Sequence, residues 1–137
     1  MPNQPTNSPA LSSVRVRDCM HAGTLTCAAE DSLQDVAAIM ATYRVHAVVV
    51  TGMSGERPVG VVSDLDVVAA VAADADCSAH EAAATEALTV SPDEPLRNAA
   101  QLMNEHGVSH LLVVDGAGEY PVGVISTLDI ATAYADS

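Results

Sequence analysis

Two serine-aspartate pairs, each three residues apart, are the most reactive-looking groupings in the chain. Ser63 and Asp66, and again Ser126 and Asp129, close a Gly-x-x-Ser-x-x-Asp pattern, in GVVSDLD and GVISTLD. A serine where a strand turns into a helix caps free amides, and an aspartate at the third helical position can bond back to complete a capping box. The same groups suit a ligand. A helix N-terminus offers amide donors to an anion such as phosphate, a neighbouring carboxylate can accept both hydroxyls of a ribose, and the glycine lets backbone approach a ligand closely. Occurrence of the pattern twice, in corresponding places, favours binding over capping alone. Catalysis is not indicated, because Ser63 has no base partner within its motif and no nucleophile-base or metal set recurs.

The patterns belong to a longer repeat that must position them. Pro58 to Asp66 returns as Pro121 to Asp129 with seven of nine residues identical, and the 63-residue offset also pairs Leu25-Thr26 with Leu88-Thr89, Leu33 with Leu96, Met40 with Met103 and Gly55-Glu56 with Gly118-Glu119. Two copies with matching apolar positions are two copies of one supersecondary unit, each burying a face against the other. The expected organisation is a disordered tail over residues 1–13, one repeat over 14–76 and a second over 77–137. Each repeat reads as strand, helix, strand, strand, helix, so the fold class is α/β (α+β) with pseudo-twofold symmetry.

Local signals fill in the elements. Ser32 caps an amphipathic run through Leu33, Val36, Ala37, Ile39 and Met40 to about Tyr43, with Asp35 placed to complete a box. Pro95 suits the first turn of the equivalent helix, which Gly107 stops. Ala47 to Thr51 and Val59 to Ser63 form a hairpin around GMSGERP, and His110 to Val114 with Val122 to Ser126 form the other. These strands are apolar on both faces, so helices should cover the sheet. Val14 to Met20 should open the first repeat ahead of a short strand at Leu25 to Cys27. Ala79 to Ala87 should open the second as a helix, ahead of a strand at Leu88 to Val90.

Composition narrows the function classes. With 137 residues the chain is one domain, able to bury roughly two-thirds of its unfolded surface without metals or disulfides. Phe and Trp are absent, so the core must be built from Val, Leu, Ile, Met and Ala. A formal net charge of -13, with no Lys/Arg cluster or aromatic platform, argues against DNA or RNA. No apolar run approaches the roughly 20 residues of a membrane span, and the first residues lack the basic and apolar regions of a signal peptide, so no membrane partner and a cytoplasmic location are expected. Cys19, Cys27 and Cys77 are odd in number without CxxC spacing, which points to idle thiols.

The chain resembles the paired cystathionine β-synthase (CBS) domain, or Bateman module, over Val14 to Ser137. The likeness rests on VRDCM at Val16 to Met20, on the passages Met40 to Val50 and Met103 to Val113, and on the two Ser-x-x-Asp motifs. It implies a stand-alone regulatory module, not an enzyme, whose clefts take AMP, ADP, ATP or S-adenosylmethionine, with no obligatory cofactor and no metal. It also implies Asp66 and Asp129 on ribose hydroxyls, Ser63 and Ser126 at the ribose or phosphate, and backbone near Leu25, Thr26, Leu88 and Thr89 facing adenine. Val62 and Ile125 would flank the base. Many nucleotide-binding members carry an arginine where this sequence has Leu65 and Leu128, so a phosphate would need Arg44 and His46 in the first cleft and His110, with His106, in the second. Arg44 also suits a helix end on electrostatic grounds alone. Because Gly107 ends the helix between His106 and His110, their spacing argues against a zinc pair.

The family's modules pair into flat dimers. A homodimer would give the all-apolar helix at Val67 to Ala73 the second neighbour it needs, and an effector protein that the sequence does not name is a further expected partner. A ligand-free dimerising interaction module is the alternative; Leu65 and Leu128 favour it and the intact Asp66 and Asp129 oppose it. The clefts should be unequal, since Asp64 adds charge where the second repeat has Thr127. Phosphate preference in the second should strengthen between about pH 8 and about pH 6 as His110 gains charge.

Overall fold

The computed structural model describes residues 13–52, 58–83, 88–115 and 120–137. The expected tail before Ser13, the turn at 53–57, residues 84–87 and the Gly118-Glu119 pair lie outside the described residues; the helix expected from Ala79 to Ala87 stops at Ala82, with Ala83 extended. In chain order the elements are α1 (Val16–Cys19), β1 (His21–Ala22), β2 (Thr26–Ala28), α2 (Leu33–Tyr43), β3 (Ala47–Thr51), β4 (Pro58–Ser63) and α3 (Asp64–Ala72). Then follow α4 (Ala79–Ala82), β5 (Thr89–Val90), α5 (Leu96–His106), β6 (His110–Asp115), β7 (Tyr120–Ser126) and α6 (Thr127–Ala135). From β2 to α3 and from β5 to α6 the expected order of strand, helix, strand, strand, helix is realised.

Period-two alternation along the β-branched runs decides how these elements stack. Val48 and Val50 of β3 bury themselves among Leu33, Val36 and Met40 of α2, while Val49 between them points the other way, to Leu112 and Val114 of β6. Leu111 and Val113 likewise meet Leu96, Ala99 and Met103 of α5. Both central hairpins are therefore buried on two faces. Helices cover one face, as the sequence implies, but the opposite cover is the other repeat's sheet. Val61 and Val124 add to that middle layer. Each hairpin also shifts register at an equivalent step, Val50/Thr51 and Val113/Val114.

The helix ends follow their caps. Ser32 accepts the Asp35 amide at 3.1 Å, and Pro95 turns out to be the N-cap of α5, one residue before the helix begins. Arg44 and Gly107 close α2 and α5 in the left-handed conformation, at φ 55 and 64.

The opening segments are exchanged between repeats. Strands β2, β3 and β4 form one sheet, but β1 adds to β7, β6 and β5 in the other, with His21 opposite Val124 and Ala22 opposite Gly123. Val16 of α1 is buried in the core of the second repeat, its amide bonded to the Glu94 carbonyl at 2.9 Å, and Arg17 pairs with Asp93. Reciprocally, Ala79 of α4 lies in the first core and its amide reaches the Asp31 carbonyl at 2.7 Å. The backbone bridges Arg15 to Pro95 and Ser78 to Ser32 mark the same exchange from both sides. Val14 to Met20 thus opens the first repeat in sequence and completes the second in space. Burying Val16, which leaves no surface exposed, is worth about 1.5–3 kcal/mol and fastens the segment there.

Candidate functional site

Each Ser-x-x-Asp motif sits where a hairpin strand passes into the following helix, β4 into α3 and β7 into α6. The strand fixes the serine in an extended conformation, which is what an N-cap needs. In the first motif Asp66 Oδ2 accepts the Ser63 amide at 2.8 Å and the Ser63 hydroxyl at 3.2 Å, while Ser63 Oγ accepts the Asp66 amide at 3.3 Å. In the second the same three bonds, Ser126 to Asp129, are 2.8, 3.0 and 3.2 Å. Both capping boxes are complete. Each consumes one carboxylate oxygen, Oδ2, so a ligand would have to be read mainly by Oδ1.

The two Oδ1 atoms are not in the same state. Among the described residues no hydrogen bond reaches Asp66 Oδ1. Asp129 Oδ1 is held by His21 Nε2 at 3.0 Å, and the side chain of Asp129 is only 9% exposed. His21 escaped the sequence reading. The signal that could have found it is a break in the repeat: the 63-residue offset places Ala84 opposite His21.

The motif glycine was expected to let backbone approach a ligand. At Gly123 the close approach is made by the chain itself, since a Cβ there would lie 2.4 Å from the His21 carbonyl oxygen. Val62 and Ile125, expected to flank a base, are fully buried in the two helix-side cores. Register explains the difference: Val62 pairs with Val48 and Ile125 with Leu111, and cross-strand partners share a face. Thr26 and Thr89 are exposed at the starts of the short strands, and the Leu25 and Leu88 carbonyls beside them are already taken by the Val49 and Leu112 amides at 2.9 and 3.0 Å.

The expected phosphate cations divide. Arg44 is exposed at the end of α2, and His46 Nδ1 is tied to Asp64 Oδ2 at 2.9 Å, so the ring is already engaged within its own repeat. His106 is exposed at the end of α5. His110 is half-buried against Ser109, whose hydroxyl lies 2.9 Å from Nδ1. Burial pushes the His110 imidazole below its ordinary pKa; Asp64, Asp129 and Asp66 pull the other way, and His46 adds to the lowering. It therefore gains charge at lower pH than the sequence expectation assumed.

The remaining polar chemistry is quiet. Burial raises the Cys27 thiol to about 11 and also raises Cys19, so both stay protonated. Among the described residues no cluster of metal-ligating side chains occurs and no helix is long and apolar enough to cross a membrane.

Two halves of one fold, each ending a hairpin in a Ser-x-x-Asp cap, define a tandem repeat module. The chain matches the CBS domain family over residues 16–73 and 79–136, and it belongs to that family. No curated protein matches it. Among solved structures, the CBS domain protein PAE2072 from Pyrobaculum aerophilum, complexed with AMP, is 30% identical, with a TM-score of 0.77 over 90% of this chain and 100% of that one. The CBS domain pair of protein MJ0100, in complex with 5′-methylthioadenosine and S-adenosyl-L-methionine, superposes with a TM-score of 0.80 at 22% identity, covering 90% of this chain and 97% of that one. The CBS-domain containing protein ATU1752 from Agrobacterium tumefaciens gives 0.77 at 21% identity, over 95% and 99%. At those last two identities the likeness shows the fold alone.

Proposed function

We propose that this chain is a regulatory module that binds an adenosyl ligand, such as AMP, ADP, ATP or S-adenosylmethionine, at the two helix starts. The observation that carries the reading is the equivalence of Asp66 and Asp129, each using one carboxylate oxygen for its cap and keeping Oδ1 outside it. The 30%-identical AMP complex supports it. With Leu65 and Leu128 both largely exposed and no arginine in either motif, recognition rests on the ribose and base more than on phosphate.

A thermal-shift screen with adenosine, AMP, ATP and S-adenosylmethionine tests it, since a ligand at about 100 times its Kd stabilises by about 2.7 kcal/mol. Asp66→Asn with Asp129→Asn should keep most of the cap geometry and lose charge-assisted bonds worth about 1.5–3 kcal/mol each. Unchanged affinity in a folded double variant would reduce the carboxylates to caps.

The reading includes a homodimer. Helix α3 has no buried residue, and Leu65, Val68 and Val71 stand 65%, 60% and 75% exposed, with Leu128 and Tyr134 of α6 similarly bare. Such a patch favours a second copy or an effector protein as cover. A monodisperse monomer in light scattering would remove the dimer and leave the ligand reading intact. The exposed leucines also favour the alternative, a dimerising interaction module without a ligand, which a screen negative for all four compounds would support.

A further inference from the structure

Among the described residues, the second motif carries an occupant that the first lacks. Asp129 spends Oδ2 on its cap and Oδ1 on His21 Nε2 at 3.0 Å, so the oxygen that a ribose would use is already bonded within the chain. In the Nε2–H tautomer the imidazole donates to the carboxylate whether or not Nδ1 is protonated. Its position is set by backbone: His21 pairs with Val124, Gly123 admits the His21 carbonyl as no other residue could, and the Gly23 amide reaches the Val122 carbonyl at 2.9 Å. Yet the His21 side chain is 78% exposed, so the ring can swing into solvent without opening a core. The equivalent position in the other half is Ala84, which has no polar side chain to place on Asp66.

We propose that His21 is a specificity-determining residue that competes with ligand for Asp129, so that an adenosyl ligand fills the Asp66 cleft first and takes the second only by displacing the imidazole. The proposal rests on the adenosyl reading above. Its effect is a difference in affinity between two otherwise equivalent clefts. Removing the ring should tighten the second cleft about three- to tenfold, between the range of an exposed ion pair and that of a charge-assisted hydrogen bond.

Titration calorimetry with adenosine, which has no phosphate, separates the possibilities. In Asp66→Asn the second cleft reports alone, and adding His21→Ala should strengthen binding by that factor. Equal or weaker binding in the double variant would overturn the competition and mark His21 as neutral or as a ligand contact. If neither the native chain nor His21→Ala binds adenosine, AMP or S-adenosylmethionine, the adenosyl reading fails and the competition falls with it. Histidine-ring NMR supplies a readout that needs no ligand and no change at His21. Asp129→Asn should shift the His21 ring signals, and signals that stay in place would overturn the contact itself.

Discussion

Arg44 and Gly107 end equivalent helices in the same left-handed conformation, at φ 55 and 64, yet one is a long cation and the other has no side chain. The pattern recurs around both helix starts. The Asp64 amide bonds the His46 carbonyl at 2.9 Å and the Thr127 amide bonds the Ser109 carbonyl at 3.0 Å, so the backbone frame is identical. On that frame the first repeat places a His46–Asp64 pair, and the second places neutral Ser109 and Thr127. Beside Gly107 and Thr127 an open groove of about 320 Å³ runs along Met103, Val108 and Ile130. In the first repeat the same two positions carry Arg44 and Asp64. Main-chain bonds and core methyl groups thus hold the symmetry, while side chains at the helix starts are free to make the two sites unlike.

The largest test of that division is in the shared core. Val49 and Leu112 are equivalent, fully buried, and meet in the layer between the sheets. Leu112→Ala should cost about 2–5 kcal/mol. Val49→Ala should cost less because fewer carbon atoms are removed. Urea unfolding should show one transition for both variants. Two separated transitions would mean that the repeats fold independently and that the middle layer does not unite them.

Next comes the seam where the opening segment crosses. Gly123→Ala forces a Cβ toward the His21 carbonyl and should cost about 1–3 kcal/mol by overpacking. The damage should concentrate in β1. Hydrogen exchange at Gly23, whose amide is bonded to Val122, should accelerate more than exchange at Leu112. Uniform acceleration would show that β1 is not a separable attachment.

How much of this was legible follows from the range of each cause. The hairpins and α2 declared themselves because Val48 to Val50, and Leu33, Val36 and Met40, show their periods within a few residues. The exchanged openings did not, since what binds Val16 to the second half is Glu94, Leu96 and Ile125, far along the chain. Val62 and Ile125 were misplaced because strand parity depends on a register that the turn sets, and a one-residue slip flips the face. Asp66 and Asp129 were legible through a repeated local motif. The hold of His21 on Asp129 required both the exchange and the pairing of β1 with β7.

A smaller effect lies at the helix ends. A residue with a Cβ is strained at positive φ, by about 1–2 kcal/mol, while glycine adopts it freely. Gly107→Ala should therefore destabilise by about 1 kcal/mol, and Arg44→Gly should be stabilising by up to about 1 kcal/mol after the entropy of the unfolded glycine is counted. Thermal unfolding of the two variants checks it. If Arg44→Gly destabilises instead, the guanidinium makes a contribution that its exposure does not suggest.

The smallest expected effect is electrostatic and belongs to His110, which has no histidine at the matching place in the first repeat, where Ala47 stands. Burial is the main cause of its lowered pKa, with His46 adding and Asp64, Asp129 and Asp66 opposing. The unfolded chain then binds this proton at a higher pH than the folded one. Stability from this group is present above the ordinary value of 6.5 and is lost as pH falls below it. Replacing it by His110→Leu removes the titrating ring along with its bond to Ser109, so the informative quantity is the slope and not the absolute stability. Urea midpoints at about pH 7.5 and about pH 5.5 should differ less in the variant than in the native chain. A steeper slope in the variant would mean that the carboxylates outweigh burial and that the fold favours the charged ring.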